Sequence, residues 1–502
     1  MDLLNNIALG SQVALAPSNI LFCFIGVFVG TVIGLLPGIG ALSTISLLLP
    51  LTFYMDPTTA IIMLAGIFYG AQYGGSTASI LLNIPGTATN AITCLDGYPM
   101  AKQGRAGVAL AMTSIASFVG GSLAIVLLMV LAPLIASFAY RFGAAEYFAI
   151  MIFGLVVASS LSSGSRIKAL AMVVFGLILG VVGMDIYSGQ LRYQFGFMEL
   201  AEGVSLVALV MGLFGIAEIL NNLALGSTDH PRVTTVSLRA LLPTREDVGR
   251  SVLPMLRGTG IGSFIGMLPG AGPTIASFLS YAIEKRVSRT PEIFGTGAVE
   301  GIAAPESANN ASVQAAFVPT LSLGIPGDPI MAVLLGALII HGITPGPGLV
   351  LEQPQMFWGL IMSFWIGNLM LLLLNLPLIG VFVSILKIPY KALYVGMLFL
   401  MCIGVYTVRS NIFDIYLMIG FGVLGFAMMI GGFPAAPLLL GFVLGPMIEE
   451  NLRRALLIGR GDLTVLIGSP IAATFIALTA VILVLPALKP LGRRVVGRRV
   501  PT

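Results

Sequence analysis

Charge is what this chain of 502 residues has least of: Lys, Arg, Asp and Glu together make up 9% of it, against 57% hydrophobic residues and a mean hydropathy of +1.02. A water-soluble fold of this length cannot hide so much apolar surface in a core, so the chain is read as a membrane protein. Cysteine is nearly absent. Cys23, Cys94 and Cys402 stand alone in or near apolar segments and suggest neither a disulfide framework nor a metal site, only small core residues. Histidine occurs as His230 and His341, both in loops, so no buried Ser–His nucleophile pair is expected. No Gly-x-x-x-x-Gly-Lys phrase followed by Ser or Thr is present, and the chain is not expected to hydrolyse ATP. Nothing points to nucleic acid.

Apolar length is abundant. Runs of about twenty apolar residues, enough for a helix to cross the hydrocarbon layer, recur from end to end. The expected fold is an all-α polytopic membrane protein with about eleven or twelve transmembrane elements. The longest polar stretch, Asn221 to Arg257, is too short for a domain with its own core, so soluble work is left to other chains. Met1 to Asn19 lacks a basic n-region and a small-residue cleavage site and is read as mature sequence.

Helix breakers recur inside the apolar runs. Gly34-Leu-Leu-Pro-Gly-Ile-Gly40 is echoed by Gly266-Met-Leu-Pro-Gly-Ala-Gly272, and aligning Pro37 with Pro269 also aligns Gly26, Gly30 and Gly34 with Gly258, Gly262 and Gly266. Glycines at this spacing form one smooth stripe on a helix, against which another backbone packs closely. A second phrase follows in both copies, Leu82-Asn-Ile-Pro-Gly86 and Leu323-Gly-Ile-Pro-Gly327. Pro37 and Pro269 are 232 residues apart, Pro85 and Pro326 are 241 apart, so the second copy is longer by nine, around Glu284 to Gly297. Two ordered matches indicate a duplication.

Cytoplasmic loops favour Lys and Arg. No basic residue precedes Lys102, so the loop at Tyr54 to Pro57 is read as external, whereas its counterpart at Glu284 to Arg286 is basic and read as cytoplasmic. The loops after the second phrases reverse in the same way, Lys102 and Arg105 in the first copy against none from His341 to Gln355 in the second. The copies are therefore expected to have inverted topology, each with a re-entrant or broken helix at its Leu-Pro-Gly phrase: Pro37, Gly38 and Gly40, then Pro269, Gly270 and Gly272. The expected division is 1–224 as first repeat, 225–257 as basic cytoplasmic linker, 258–452 as second repeat, and 453–502 as an extra span with a basic tail, Arg493 to Arg499, on the cytoplasmic side. Arg453, Arg454 and Arg460 resist a strict inversion, and Pro434 to Ile448 is a second candidate for re-entry.

Polar residues near the breaks are small and uncharged: Gln72, Ser76, Thr77, Ser79, Asn83, Thr87, Thr89 and Asn90, then Thr274, Ser277, Ser307, Asn309, Asn310, Ser312, Gln314, Thr320 and Ser322. With the amides of half-helix N-termini, such groups hold a carboxylate without a buried Arg. Their oxygens, Ser76 and Thr77 among them, equally suit a sodium ion. Charge inside a membrane is costly, so Glu306 and Asp328 are candidates for coupling sodium or protons, although Asp328 before Pro329 also reads as a helix cap. Asp96, beside Lys102 and Arg105, reads as a loop residue. Gly459-Arg-Gly-Asp462 matches the Gly-x-Gly-Asp of intramembrane aspartyl proteases, but an Arg stands within it and a second intramembrane Asp is needed, so an enzyme is kept as the remote alternative.

Four phrases together carry a family resemblance: Gly34-Leu-Leu-Pro-Gly-Ile-Gly40, Tyr69-Gly-Ala-Gln-Tyr-Gly-Gly-Ser-Thr-Ala-Ser-Ile-Leu-Leu-Asn-Ile-Pro-Gly86, Ala304-Pro-Glu-Ser-Ala-Asn-Asn-Ala311 and Leu321-Ser-Leu-Gly-Ile-Pro-Gly327. The chain resembles, over nearly its whole length, the large membrane subunit of tripartite tricarboxylate transporters. The resemblance implies a permease of the bacterial inner membrane, working with a small membrane subunit and a periplasmic solute-binding protein and importing organic carboxylates on a sodium or proton gradient by alternating access. It also implies a substrate site at the paired motifs, at Asn83, Thr87, Asn90, Ser307, Asn309 and Asn310. No cofactor beyond the coupling ion is expected, and a passive anion channel is the alternative.

Overall fold

The computed structural model describes residues 3–36, 40–162, 164–185, 187–225, 241–376 and 390–496. In chain order the helices are α1 (Leu3–Ala14), α2 (Pro17–Leu35), α3 (Ala41–Thr52), α4 (Pro57–Leu82), α5 (Cys94–Met100), α6 (Ala106–Ala139), α7 (Ala144–Leu161) and α8 (Arg166–Gly180). A two-residue ribbon, β1 (Gly183–Met184) with β2 (Leu191–Arg192), precedes α9 (Leu206–Val210), α10 (Ala217–Leu225), α11 (Arg245–Gly266), α12 (Gly272–Val287), α13 (Glu300–Ala315), α14 (Phe317–Leu323) and α15 (Pro329–Ile340). The remainder is α16 (Pro347–Glu352), α17 (Pro354–Asn375), α18 (Tyr390–Arg409), α19 (Ile412–Gly431), α20 (Ala435–Ile458) and α21 (Pro470–Val496). Six helical stretches among the described residues are long and apolar enough to span a membrane, and four shorter apolar helices accompany them. The chain is an all-α polytopic membrane protein.

It divides into two compact units, one of residues 1–139 with 205–430 and one of 140–204 with 431–502. In the first, the glycine stripes make the same contact twice. A Cβ at Gly26, Gly30 or Gly34 of α2 would lie 2.3, 2.5 or 2.2 Å from the carbonyl oxygen of Met63, Ile67 or Ala71 on α4. A Cβ at Gly258, Gly262 or Gly266 of α11 would lie 2.2, 2.2 or 2.3 Å from that of Ala304, Ala308 or Ser312 on α13. No side chain fits between these backbones. The partner residues pair at an offset of 241, the same as Pro85 and Pro326, so the second phrases and the contacted helices keep one register.

Local chemistry sets where the elements start and stop. Asp56 before Pro57 begins α4, its carboxylate accepting from the Thr58 and Thr59 amides at 2.9 and 3.3 Å. Asp328 before Pro329 begins α15 in the same way. The helices α2 and α11 each end just before their Leu-Pro-Gly phrase. Pro37 and Gly38 lie outside the described residues. In the second phrase Gly270 and Gly272 take φ of +77° and +61°, conformations open to glycine, and the Gly270 N–H donates to the Gly327 carbonyl at 2.7 Å. The two phrases of the second copy thus touch, and backbone polarity freed by the break is met by backbone. Residues 211–216 form a π-helical turn, and the Ser43 hydroxyl donates to the Phe214 carbonyl there at 2.8 Å. Of the expected linker, 226–240 lie outside the described residues, and 245–257 are the first turns of α11.

In the second unit α20 is one continuous helix, with no re-entrant break at Pro434 to Ile448. It packs on α8, where a Cβ at Gly176 would lie 2.0 Å from the Leu438 carbonyl and one at Gly441 2.4 Å from that of Val173. Arg453 near its end is held by Asp185 at 2.8 Å and Glu449 at 2.7 Å, and Arg192 also reaches Glu449 at 2.7 Å. Arg454 pairs with Glu450 at 2.6 Å. Of the three basic residues that resisted the charge-based layout, Arg453 and Arg454 are thus paired with carboxylates.

Candidate functional site

The site assembles in the first unit, where α4, the short turn at Ala88–Ala91 and α13 meet. Every residue of α4 from Thr59 to Leu82 is buried, and its polar side chains Gln72, Ser76 and Ser79 follow helical spacing along one flank. On α13, Glu306 is 1% exposed. Its Oε2 accepts from the Ser76 hydroxyl at 2.7 Å, and its Oε1 accepts from Thr93 and from the Asn90 amide nitrogen, the latter at 3.4 Å. Each of these donors is neutral, and none of the ion pairs among the described residues involves Glu306. Neutral donors satisfy the lone pairs of a carboxylate but do not balance its charge.

Asn90 continues the network. Its nitrogen also donates to the Ser76 hydroxyl at 2.7 Å, and its carbonyl oxygen accepts from Thr87 at 2.5 Å. The Thr87 and Thr89 hydroxyl oxygens lie 2.6 Å apart; Thr89 donates to Gln72 Oε1 at 2.7 Å, and the Thr87 oxygen stands 3.4 Å from that same oxygen. One amide side chain therefore joins a buried carboxylate to a neutral cluster at the tip of the first copy. That tip sits against the end of α2, since a Cβ at Gly86 would lie 1.9 Å from the Gly34 carbonyl oxygen.

The second copy differs in chemistry. At the offset of 241, Glu306 corresponds to Ala65 and Asp328 to Thr87, so both carboxylates belong to one copy. Asp328 Oδ1 accepts from the Met331 amide at 2.8 Å, the cap expected of it, whereas its buried Oδ2 has no hydrogen-bond partner among the described residues. A Cβ on Gly272, at the start of α12, would lie 3.5 Å from Asp328 Cβ. Both polar atoms of Asn309 and the Ser312 hydroxyl are likewise buried without partners among the described residues. Buried orphans of this kind are scarce in proteins.

The remaining expected residues fall elsewhere. Asn83 is exposed and ends α4 with φ of +59°. The Ser307 hydroxyl donates to the Met255 and Ala304 carbonyls, both at 3.0 Å, within the α11–α13 packing. Asn310 donates to the Glu306 carbonyl at 3.1 Å. Thr77 is buried on α4, and Gly40 lies at the start of α3. Gln72 and Thr89, expected among the polar residues near the breaks, join the network, and so does Thr93, which was not named. Thr93 carried a signal, being one helical turn past Asn90. Helices α3 and α12, which follow the two Leu-Pro-Gly phrases, have no side-chain cap at their N-termini, unlike α4 and α15.

Asp96 is no loop residue. It is fully buried on α5 and accepts from the Gly295, Gly297 and Ala298 amides, each at 2.8 Å, and from the Tyr281 hydroxyl at 2.9 Å. The added length of the second copy brings this loop to it. Beside it, Arg250 and Arg257 bind Glu300 and Glu284 with two hydrogen bonds each.

Residues 20–440 match the family model described as "Tripartite tricarboxylate transporter TctA family". The chain is 52% identical over 492 residues, 97% of its length and 98% of the relative's, to an Agrobacterium vitis protein described as "Uncharacterized 52.8 kDa protein in TAR-I ttuC' 3'region". It is also 52% identical over 227 residues, 45% of its length and 94% of the relative's, to another from that organism, described as "Uncharacterized protein in TAR-II ttuC' 3'region". No solved structure matches.

Proposed function

The chain belongs to the tripartite tricarboxylate transporter TctA family, and we propose that it is the large permease subunit of a secondary transporter importing tricarboxylates or related organic acids. A small membrane subunit and a periplasmic solute-binding protein would complete the system in the bacterial inner membrane, with the C-terminal tail cytoplasmic. The two copies would have inverted topology, with the site between them near the midplane.

The observation that carries this reading is the bridge from Glu306 through Asn90 to Thr87, Thr89 and Gln72. An ionised carboxylate with neutral partners alone is disfavoured in the interior, and a proton or sodium ion supplies the missing positive charge. Ser76 and Thr93 add hard oxygens there, and Thr77 and Asp328 are further coupling candidates. Charge balance at Glu306 then fixes Asn90 and, through it, the orientation of Thr87. Substrate carboxylates would meet the uncapped amides of α3 and α12, with Thr87, Asn90, Asn309 and Asn310 as side-chain contacts. In this assignment Asn83 shapes the end of α4 and Ser307 secures helix packing. Loading and release would follow movement of one copy against the other, with the broken segments as the parts that differ between open states.

Uptake of labelled citrate and other carboxylates into cells carrying the chain, its small subunit and a cognate binding protein tests the reading. Accumulation that requires both the binding protein and a sodium or proton gradient supports it. Equilibration without either would establish a passive anion channel, and turnover of substrate in detergent an enzyme.

A further inference from the structure

The ribbon that follows α8 in the second unit is built inside out. Along 191–195 the exposed side chains are Leu191, Tyr193 and Phe195, while Arg192 and Gln194 are turned partly inward. In the ladder Met184 pairs with Leu191, and both are exposed, at 61% and 39%. A ribbon facing water alternates the other way, with apolar residues against the protein and polar ones outside. The only charged residues from Gly183 to Met198 are Asp185 and Arg192, and both are tied back to α20, Asp185 through Arg453 and Arg192 through Glu449. Tyr193 and Phe195 hold φ of +52° and +51°, an uncommon state for bulky residues. Together with Met198, at 70% exposed, they leave an apolar, aromatic surface bordered by the exposed Glu199.

Position says what covers it. The helix α8 starts at Arg166 and Lys168, and its 15 residues span only about 22 Å, against a hydrocarbon layer of about 30 Å. With those basic residues at one headgroup boundary, the chain leaves Gly180 short of clearing the other. The outward stripe of α8, exposed at Ile167, Val174 and Ile178, is continuous in sequence with Met184. We infer that residues 184–185 and 187–198 form an interfacial anchor whose Met184, Leu191, Tyr193, Phe195 and Met198 rest in the lipid headgroup layer, with the Asp185–Arg453 and Arg192–Glu449 pairs holding the ribbon in that pose.

The test places a fluorophore on the surface. The full chain carrying Phe195→Trp, and separately Met198→Trp, is reconstituted into phosphatidylcholine–phosphatidylglycerol vesicles, and the added emission is read against the parent chain with its own two Trp residues. Variants are accepted only with the elution profile and thermal midpoint of the parent. The expected result is blue-shifted emission, lost most strongly with lipids brominated close to the headgroup. Strongest loss with iodide in the water would overturn the inference by placing the ribbon in solvent, and strongest loss with lipids brominated near the chain ends would overturn it by placing the ribbon in the hydrocarbon. Removal of lipid quenching by co-reconstituted small membrane subunit would overturn it in favour of a protein dock.

Discussion

The Asn90 side-chain nitrogen lies 3.4 Å from Glu306 Oε1 although 216 residues separate the two in sequence. The same nitrogen is 2.7 Å from the Ser76 hydroxyl, and the other end of the amide accepts from Thr87. A single side chain therefore reports the state of a buried acid to the tip of a broken segment. Asn90→Ala removes that link without touching the carboxylate. Uptake should fall at least tenfold, the equivalent of about 1.4 kcal/mol, and the residual uptake should lose its dependence on the coupling-ion gradient. Initial rates measured across a series of imposed gradients check this.

The glycine stripes give an expectation on folding. Gly30→Leu and Gly262→Leu drive a side chain into the Ile67 and Ala308 carbonyls, which lie within van der Waals distance of any Cβ. Each should cost about 1–3 kcal/mol or more through overpacking and backbone displacement. Membrane abundance should drop in both, whereas Gly249→Leu, where a Cβ meets open space, should leave it unchanged. Quantitative blotting of membranes decides it.

Much of this was legible in the sequence because it rests on backbone spacing. Glycines four apart, Asp before Pro and the Leu-Pro-Gly breaks act locally, so α2, α4, α11 and α15 begin, end and pair where the residues require. Glu306 stood out because a carboxylate in an apolar run is rare. What the sequence hid depends on contacts between distant segments. Thr93 looks like any small helix residue until Glu306 is placed beside it, and Asp96 resembles a charged loop residue until residues 295–298 close around it. Asn83 drew a binding role as part of a conspicuous phrase; its exposed position and left-handed backbone at the end of α4 were not legible there.

Asp96→Ala should destabilise the protein. Three amides and the Tyr281 hydroxyl would lose their shared acceptor, at about 1–3 kcal/mol for each group left buried and unsatisfied. The thermal midpoint in detergent should fall clearly. Asp96→Asn, which keeps one acceptor oxygen, should fall less, and an equal midpoint for both variants would contradict the assignment.

Acid should loosen the second unit's ribbon. The Asp185 carboxyl is held down at about 2 by the Tyr187 backbone N–H and by Arg453. Unfolded, it would titrate near 3.9. Because the folded value is the lower one, its contribution is fully present above the unfolded value and is lost as pH falls through about 2. Hydrogen exchange at residues 183–185 and 187–192 should accelerate over that window beyond its intrinsic pH dependence. In Asp185→Asn the extra acceleration should be missing.

The central claim, that charge balance at Glu306 drives substrate movement, is tested most directly with Glu306→Gln in proteoliposomes containing the complete three-component system. Gln keeps an acceptor oxygen for one of Ser76 and Thr93 and turns its NH2 donor to the other hydroxyl, but needs no cation. The expected result is that the variant exchanges labelled carboxylate across the membrane yet fails to accumulate it under a sodium or proton gradient that loads the parent. Gradient-driven accumulation at the parent level in Glu306→Gln would contradict the account and remove Glu306 from the coupling mechanism.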